Sequence, residues 1–327
     1  MKFSSLPSIA ATGITAGPLE KQSPFASLFD KVYDDERCGL PTNEKGHAKL
    51  LEDACMIALS KVDSIPSDAD YLLIGDLVNQ MTPSNFCAST MGIPYIGLFS
   101  ACATSVSSLL TAALLTEAGM SKCTVAGAGS QHNSVERQFR YPIEYGAQKP
   151  ATSQWTVTAA GISVVTPNKQ GVPAIAGGTI GRVVDLGMVN PLHMGAAMAP
   201  AAADTLQRHL TGHGTKVDDY DVIMTGDLAK VGFELYKKLV ENQGIKVTKK
   251  FRDAGVEFYG KDPLFQAGGS GAGCSAATYF SDIYSKMMEG QYKRVLLIAT
   301  GALLSPLSYQ QGDTIPCIAH AVELTMK

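Results

Sequence analysis

One short stretch holds the residue types best placed for chemistry: Phe99-Ser100-Ala101-Cys102-Ala103-Thr104-Ser105. An apolar run, residues 95–99, stops at the cysteine, and a helix-like segment, residues 106–117, begins at once. The pattern predicts a strand, a sharp turn and a helix with Cys102 at the helix mouth. Backbone N–H groups at a helix start lack intrahelical partners and carry partial positive charge, so they favour a thiolate and any anion beside it. Cys102 is therefore a nucleophile if a base reaches it and part of an anion pocket if none does. A small buried hydrophobe is the remaining reading of such a cysteine.

The elements that must hold this turn come in duplicate. Residues 53–77 align with residues 204–228 at a constant offset of 151, pairing Asp53 with Asp204, Leu59 with Leu210, Asp70 with Asp221, and Gly75-Asp76-Leu77 with Gly226-Asp227-Leu228. A second echo pairs the Cys102 turn with residues 264–274, ending in Gly271-Ala272-Gly273-Cys274. Each copy is followed by a helix, a glycine (Gly119, Gly290), a lysine (Lys122, Lys293) and an apolar strand. Ile9-Ala10 and Ile175-Ala176 open the two copies, and the seam is expected near Thr166-Pro167-Asn168, giving halves 1–167 and 168–327. Each half alternates strand and helix with continuous apolar strands of the kind covered on both faces, which predicts βαβ units, a mixed and largely parallel sheet, and two stacked copies of it.

In such sheets ligands collect beyond the carboxyl ends of the strands. Three exits of the first half carry suitable groups: Asp76 and Asn79, Cys102, and His132, all expected to converge on one pocket. Residues 131–158, rich in charge and aromatics (Arg137, Phe139, Arg140, Tyr141, Glu144, Tyr145, Lys149, Trp155), read as a long loop over that pocket or as a dimer-interface loop. Residues 200–210, rich in alanine with Asp204 four residues ahead of Arg208, read as a packed helix without chemistry.

Bulk properties narrow the field. The 327 residues are ample for a core without staples, and charged residues make up only 17% against 45% hydrophobic, which predicts a compact body and a homodimer. The 27 basic and 30 acidic residues form no basic block interleaved with aromatics, so nucleic acid is not an expected partner. Seven scattered cysteines, odd in number and never spaced Cys-x-x-Cys, suggest neither disulfide framework nor zinc site and fit a reducing compartment. With no long apolar window and no leader-like start at Met1, the sequence predicts a cytosolic protein or one held at a membrane by a partner.

A duplicated α/β half with cysteine at a strand-to-helix turn resembles the thiolase superfamily, in which Ser100 to Ser105 is similar to the nucleophile turn of thiolases and ketoacyl synthases. The fold this implies is a layered α-β-α-β-α sandwich of two thiolase-like halves. Further segments resemble the stage V sporulation protein AD family from end to end: Ala16-Gly17-Pro18-Leu19-Glu20, Ser27-Leu28-Phe29-Asp30, Glu136-Arg137-Gln138-Phe139-Arg140-Tyr141-Pro142, Met198-Ala199-Pro200-Ala201-Ala202-Ala203-Asp204 and Thr300-Gly301-Ala302-Leu303-Leu304-Ser305-Pro306. That resemblance implies a protein of endospore formers that binds dipicolinic acid, alone or as its calcium chelate. It implies a role in uptake into the developing spore beside the other membrane proteins of the stage V sporulation A operon, without cofactor or turnover.

The residues weigh on the same question. A condensing enzyme or thiolase needs a base for Cys102, which the superfamily draws from second-half loops. Here those loops read Gly226-Asp227-Leu228-Ala229-Lys230 and Gly268 to Cys274, with neither His nor Asn. Cys317 stands where thiolases carry a cysteine followed by a glycine run, but Ile318-Ala319-His320-Ala321 follows it. His320 and His132 remain candidate partners for Cys102, while His47, His193, His209 and His213 are read as solvated turn or helix-end residues. Dipicolinate, a flat doubly negative ring, wants an apolar slot with donors at each carboxylate. The helix mouth, Arg137, Arg140 and Lys149 would supply donors, and Asp76 and Glu144 hard oxygens for calcium. A salt-bridge network within the loop is the alternative use of Arg137, Arg140 and Glu144.

Overall fold

The computed structural model describes residues 1–140 and 149–326. In the first half the strands are β1 (Ser8–Ala16), β2 (Lys31–Val32), β3 (Tyr71–Gly75), β4 (Tyr95–Gly97), β5 (Thr124–Ser130), β6 (Trp155–Thr156) and β7 (Ala159–Thr166). Its helices are α1 (Asn43–Ser60), α2 (Thr82–Met91), α3 (Thr104–Glu117) and the short α4 (His132–Glu136). The second half holds β8 (Ala174–Thr179), β9 (Val222–Thr225), β10 (Phe251–Asp253), β11 (Gly269–Ser270), β12 (Arg294–Ala302) and β13 (Cys317–Thr325). Its helices are α5 (Met194–His213), α6 (Ala229–Asn242), α7 (Ala254–Glu257), α8 (Ala272–Thr278), α9 (Tyr284–Met288) and α10 (Pro306–Gln311).

Strand order states the duplication directly. The path runs β10-β9-β12-β13-β8-β1-β7-β5-β3-β4, so it reads outward from the β8–β1 junction as the same series twice. In each series the two innermost pairings are antiparallel and the two outermost parallel. The repeated aspartates do the same work in both copies. Asp70 Oδ2 accepts the N–H groups of Lys122 and Cys123 at 2.6 and 3.0 Å, and Asp221 Oδ2 those of Lys293 and Arg294 at 2.6 and 2.9 Å. A carboxylate ahead of each inner parallel strand thus fixes its start against the neighbouring strand.

Burial explains why these strands read as unbroken apolar runs. All seven residues of β5 and eight of the nine in β12 are buried, because helices cover both faces. One apolar cluster lies between α1, α2 and the first half-sheet, another between α5, α6 and the second, and the largest surrounds α3 and α8 between the two half-sheets. The result is the expected five-layered α-β-α-β-α arrangement. Helix α3 is buried nearly all round, which is why its sequence, Thr-Ser-Val-Ser-Ser-Leu-Leu-Thr-Ala-Ala-Leu-Leu, shows little amphipathic period. No described helix is long and apolar enough to cross a membrane.

Two histidines depart from expectation. His47 and His209 are fully buried rather than solvated, because each sits on the inner face of a long helix, α1 or α5, and finds a hydroxyl there. His47 Nδ1 lies 3.1 Å from Ser134 Oγ, and the two nitrogens of His209 lie 3.0 Å from Thr179 Oγ1 and Tyr220 Oη. His193 and His213 are half-buried at the two ends of α5.

The halves are stapled by a buried acid. Glu20 Oε1 accepts from the Thr158 N–H at 2.9 Å and from the Tyr259 hydroxyl at 2.7 Å, while Oε2 has no hydrogen-bond partner among the described residues. Burial, with a contribution from Glu36, pushes its pKa up to about 7. Because the folded value lies above the ordinary one, its contribution to stability is fully present below pH 4.5 and is lost as pH rises through 7. Glu20→Gln, neutral throughout, is expected to be more stable than the native chain at pH 8, on the order of 3 kcal/mol at most, and indistinguishable from it at pH 4.5. Denaturant midpoints at the two pH values check this, and equal pH dependence of both proteins would refute it.

Candidate functional site

Strand β4 delivers the chain into the Cys102 turn, which is built as the sequence suggests. Ser100 N–H donates to Thr104 Oγ1 at 3.1 Å, Thr104 Oγ1 donates to the Ala101 carbonyl at 2.7 Å, and Ala101 takes a left-handed φ of 47°. A non-glycine residue held there is strained, and such strain persists only where the surroundings over-determine it. Part of that surrounding is Gly301 on β12, where a Cβ would stand 2.3 Å from the Ser100 carbonyl oxygen, so glycine is needed for the turn to approach the strand. Across the pseudo-symmetry, α8 meets α3: Ser105 and Ser275 hydroxyls lie 2.8 Å apart and Ser275 Oγ donates to the Cys102 carbonyl at 3.3 Å.

Beside this turn opens a cavity of about 430 Å³. Leu77, Phe99, Phe139, Leu192, Met194, Leu304 and Tyr309 give it apolar walls, Cys102 and Gly271 part of its floor, and Glu136, Arg140 and Lys149 are the charged residues among its described lining. Both halves contribute, as does the parallel contact of β6 with β11 that brings Thr156 beside Ser270. Of the stretch 131–158, Val135, Glu136, Phe139, Arg140, Lys149, Ser153, Gln154 and Thr156 line the cavity.

The sequence-predicted site residues divide into those that line this cavity and those that do not. Cys102, Arg140 and Lys149 line it. Asn79 lines a smaller adjoining cavity of about 230 Å³ that shares Leu77, Phe99 and Leu304 with the first. Asp76, expected as a possible calcium contact, is fully buried and spent on its own loop and the start of α2: Oδ1 accepts the Val78 N–H at 2.7 Å and Oδ2 the Ser84 N–H at 2.9 Å and hydroxyl at 2.5 Å. Arg137 pairs with Glu44 on α1. His132 is stacked under Trp155, ring centroids 4.2 Å apart, and reaches Glu136 rather than Cys102. Burial pushes its pKa down to about 4, so it stands neutral. Glu144 lies outside the described residues.

Two acids that sequence reasoning did not single out for this site organise it. Glu136, its side chain 19% exposed, gathers Lys149 Nζ at 2.5 Å, His132 Nδ1 at 3.3 Å and Arg140 at 4.0 Å. Burial raises its pKa, but the contacts it makes, with Lys149 the close partner that stays charged at neutral pH, hold the carboxyl below its ordinary value. Burial in turn lowers the pKa of Lys149, against the pull of Glu136. Lys149 is also seated over the Trp155 ring, 4.9 Å from its centroid, and donates to the Gln154 carbonyl at 3.1 Å. The i,i+4 spacing of His132, Glu136 and Arg140 was the available signal, since it puts three ionisable groups on one side of a helical turn.

The second acid is Asp227, fully buried at the exit of β9. Its Oδ1 accepts from Thr300 Oγ1 at 2.7 Å, and its Oδ2 from the Gly271 N–H at 2.9 Å and Ser270 Oγ at 3.1 Å, and the same carboxyl faces the Cys102 thiol. Gly271 makes this contact at φ +103°, a conformation a side chain would oppose. Burial and then the Asp227 charge push the Cys102 thiol well above its ordinary pKa. The helix mouth therefore does not produce the thiolate that the sequence pattern suggests; burial of the sulfur wins, and the facing Asp227 carboxyl, itself pushed up by burial, adds to it. His320 is no base for it either. It does not line the cavity, its Nδ1 accepts the Gly181 N–H at 3.2 Å, and burial pushes its pKa down to about 4.

Comparison with known proteins agrees with this architecture. A family model described as stage V sporulation protein AD (SpoVAD) matches residues 1–325. Stage V sporulation protein AD of Bacillus subtilis (strain 168) is 44% identical over 314 residues, covering 96% of this chain and 93% of that protein. Among solved structures, 3-oxoacyl-[acyl-carrier-protein] synthase III of Aquifex aeolicus VF5 aligns with a TM-score of 0.60 at 14% identity over 98% of this chain and 99% of its own. An OleA variant of Xanthomonas campestris aligns at 0.64 and 14% over 99% of each chain. Human mitochondrial 3-ketoacyl-CoA thiolase in complex with CoA aligns at 0.63 and 12% over 100% of this chain and 99% of its own. At such identities these likenesses establish a thiolase-like fold and nothing about chemistry.

Proposed function

Because the chain belongs to the stage V sporulation protein AD family, we propose that it binds dipicolinic acid, alone or as its calcium chelate, in the cavity beside Cys102, and that it serves uptake of that ligand into the developing endospore without turning it over. The observation that carries the reading is the cavity's polarity: apolar walls that suit a flat ring, with Arg140 and Lys149 together at one side to meet carboxylates. Cys102 belongs to the floor as a neutral thiol. The company proposed for the protein is a second copy of itself and the membrane proteins of the stage V sporulation A operon, at the cytoplasmic face of the forespore or spore inner membrane. Ile96 on the edge strand β4 and Phe99 beyond it, 44% and 50% exposed, support the homodimer.

A second reading, acyl transfer on Cys102 as in a condensing enzyme or thiolase, is favoured by the fold and by the position of the cysteine at a cavity. It is opposed by the missing base and by Asp227, which disfavours the thiolate such chemistry requires.

Titration calorimetry of the purified protein tests the binding reading. Dipicolinate, with and without calcium, is expected to bind one site per chain, and picolinate, with one carboxylate, to bind roughly ten- to a hundredfold more weakly for the charge-assisted pair it loses. No heat and no competition from dipicolinate in either condition would sink the proposal.

A further inference from the structure

Arg140 and Lys149 are not waiting empty-handed for a ligand. Both already face Glu136, Lys149 at 2.5 Å and Arg140 at 4.0 Å, and these three are the charged residues among the cavity's described lining. A carboxylate that enters must share or take cations that a resident carboxylate holds. Building on the binding reading above, we propose that Glu136 is the residue that sets which charge form of the ligand the cavity accepts, favouring a dicarboxylate already bridged to a divalent cation over the free dianion.

The argument is one of charge and coordination. Two cations and one anion leave the described lining with a single net positive charge, and Asp227 lies buried beneath the floor against Cys102. A free dianion brings two negative charges to this lining and displaces Glu136 from Lys149, stranding a carboxylate whose side chain is only 19% exposed. A one-to-one chelate brings no net charge. Its metal has open positions that take hard oxygen ligands, and a glutamate carboxylate at the cavity wall supplies them without leaving its cations. The Thr156 N–H, 3.3 Å from Oε1, and the Lys149 ammonium on the same oxygen hold the carboxylate in place for that role.

Glu136→Gln is nearly isosteric, keeps a carbonyl oxygen toward Lys149 and removes the charge. In calorimetric titrations the native protein is expected to bind dipicolinate at least tenfold more tightly with equimolar calcium than with chelator present. In Glu136→Gln that ratio is expected to fall to within about twofold, mainly because free dipicolinate binds at least tenfold more tightly than to the native protein. Glu136→Asp, which keeps the charge, is expected to retain a calcium preference. Thermal unfolding of each variant shows that the fold is kept. A calcium ratio unchanged by Glu136→Gln, or free dipicolinate bound no more tightly by it, overturns the assignment of Glu136 while leaving the binding reading intact. Absence of dipicolinate binding to the native protein in both conditions overturns the binding reading, and this one with it.

Discussion

Removing both cavity cations, Arg140→Ala with Lys149→Met, is expected to weaken dipicolinate binding by roughly 10²- to 10⁴-fold, the loss of two charge-assisted pairs at on the order of 1.5 to 3 kcal/mol each. The double change strands Glu136, because Lys149 is its closest partner at 2.5 Å. A partly buried carboxylate left unpaired destabilises the fold on its own account, so the comparison belongs in a Glu136→Gln background, where no stranded charge confuses loss of ligand with loss of structure. Methionine at 149 keeps the stem that lies against Trp155 while removing the ammonium. Calorimetry against the Glu136→Gln parent reads the effect, and thermal unfolding confirms the fold. Binding within threefold of the parent would mean that the ligand's carboxylates are met elsewhere, and the cavity assignment would fall.

The two acids that matter here were the least legible part of the sequence, and the reason is physical. The Cys102 turn and the duplicated halves announce themselves through short-range pattern: an apolar run ending at a cysteine, a Gly-Asp-Leu exit recurring 151 residues later, and aspartates Asp70 and Asp221 whose partners lie just before the adjacent strand. Glu136 gains its role from Lys149, across the loop, and its own context offers only the i,i+4 spacing with His132 and Arg140, which any charged turn can show. Asp76 and Asp227 occupy the same position in the two copies yet do different things. Asp76 is consumed by Val78 of its own loop and Ser84 at the start of α2, whereas Asp227 reaches across to Ser270, Gly271 and Thr300 and faces Cys102. Repetition predicts the fold position of a residue; only packing decides which way its carboxylate is spent. The solvated reading of His47 and His209 fails for a related cause. A histidine among alanines and leucines on a long helix is buried whenever one hydroxyl on the facing element satisfies its ring, and that hydroxyl is remote in sequence.

Asp227→Ala is expected to destabilise the protein by on the order of 3 to 5 kcal/mol, the largest stability effect of any single change near the cavity. The alanine leaves the Gly271 N–H buried and without an acceptor, frees the Thr300 and Ser270 hydroxyls from a common partner, and opens a void between β9 and β12. Hydroxyls can turn to other acceptors, but a backbone N–H held at φ +103° cannot. Asp227→Asn keeps an oxygen for Gly271 and is expected to cost only about 1 to 2 kcal/mol. This pair of variants also separates the two functional readings. If Asp227 is a brace, stability tracks the loss of acceptors, dipicolinate binding survives in the Asn variant, and neither native protein nor variant forms an acyl adduct with acyl-CoA. If Asp227 were instead the base that activates Cys102, the Asn variant would fold almost normally and lose an acyl-transfer activity that the native chain possesses. Urea midpoints measure the first difference, and intact mass after incubation with acyl-CoA measures the second. An adduct on native Cys102 that turns over and vanishes in Asp227→Asn would make this chain an enzyme and its carboxylate a catalyst, against the thiol chemistry that burial and the facing anion dictate.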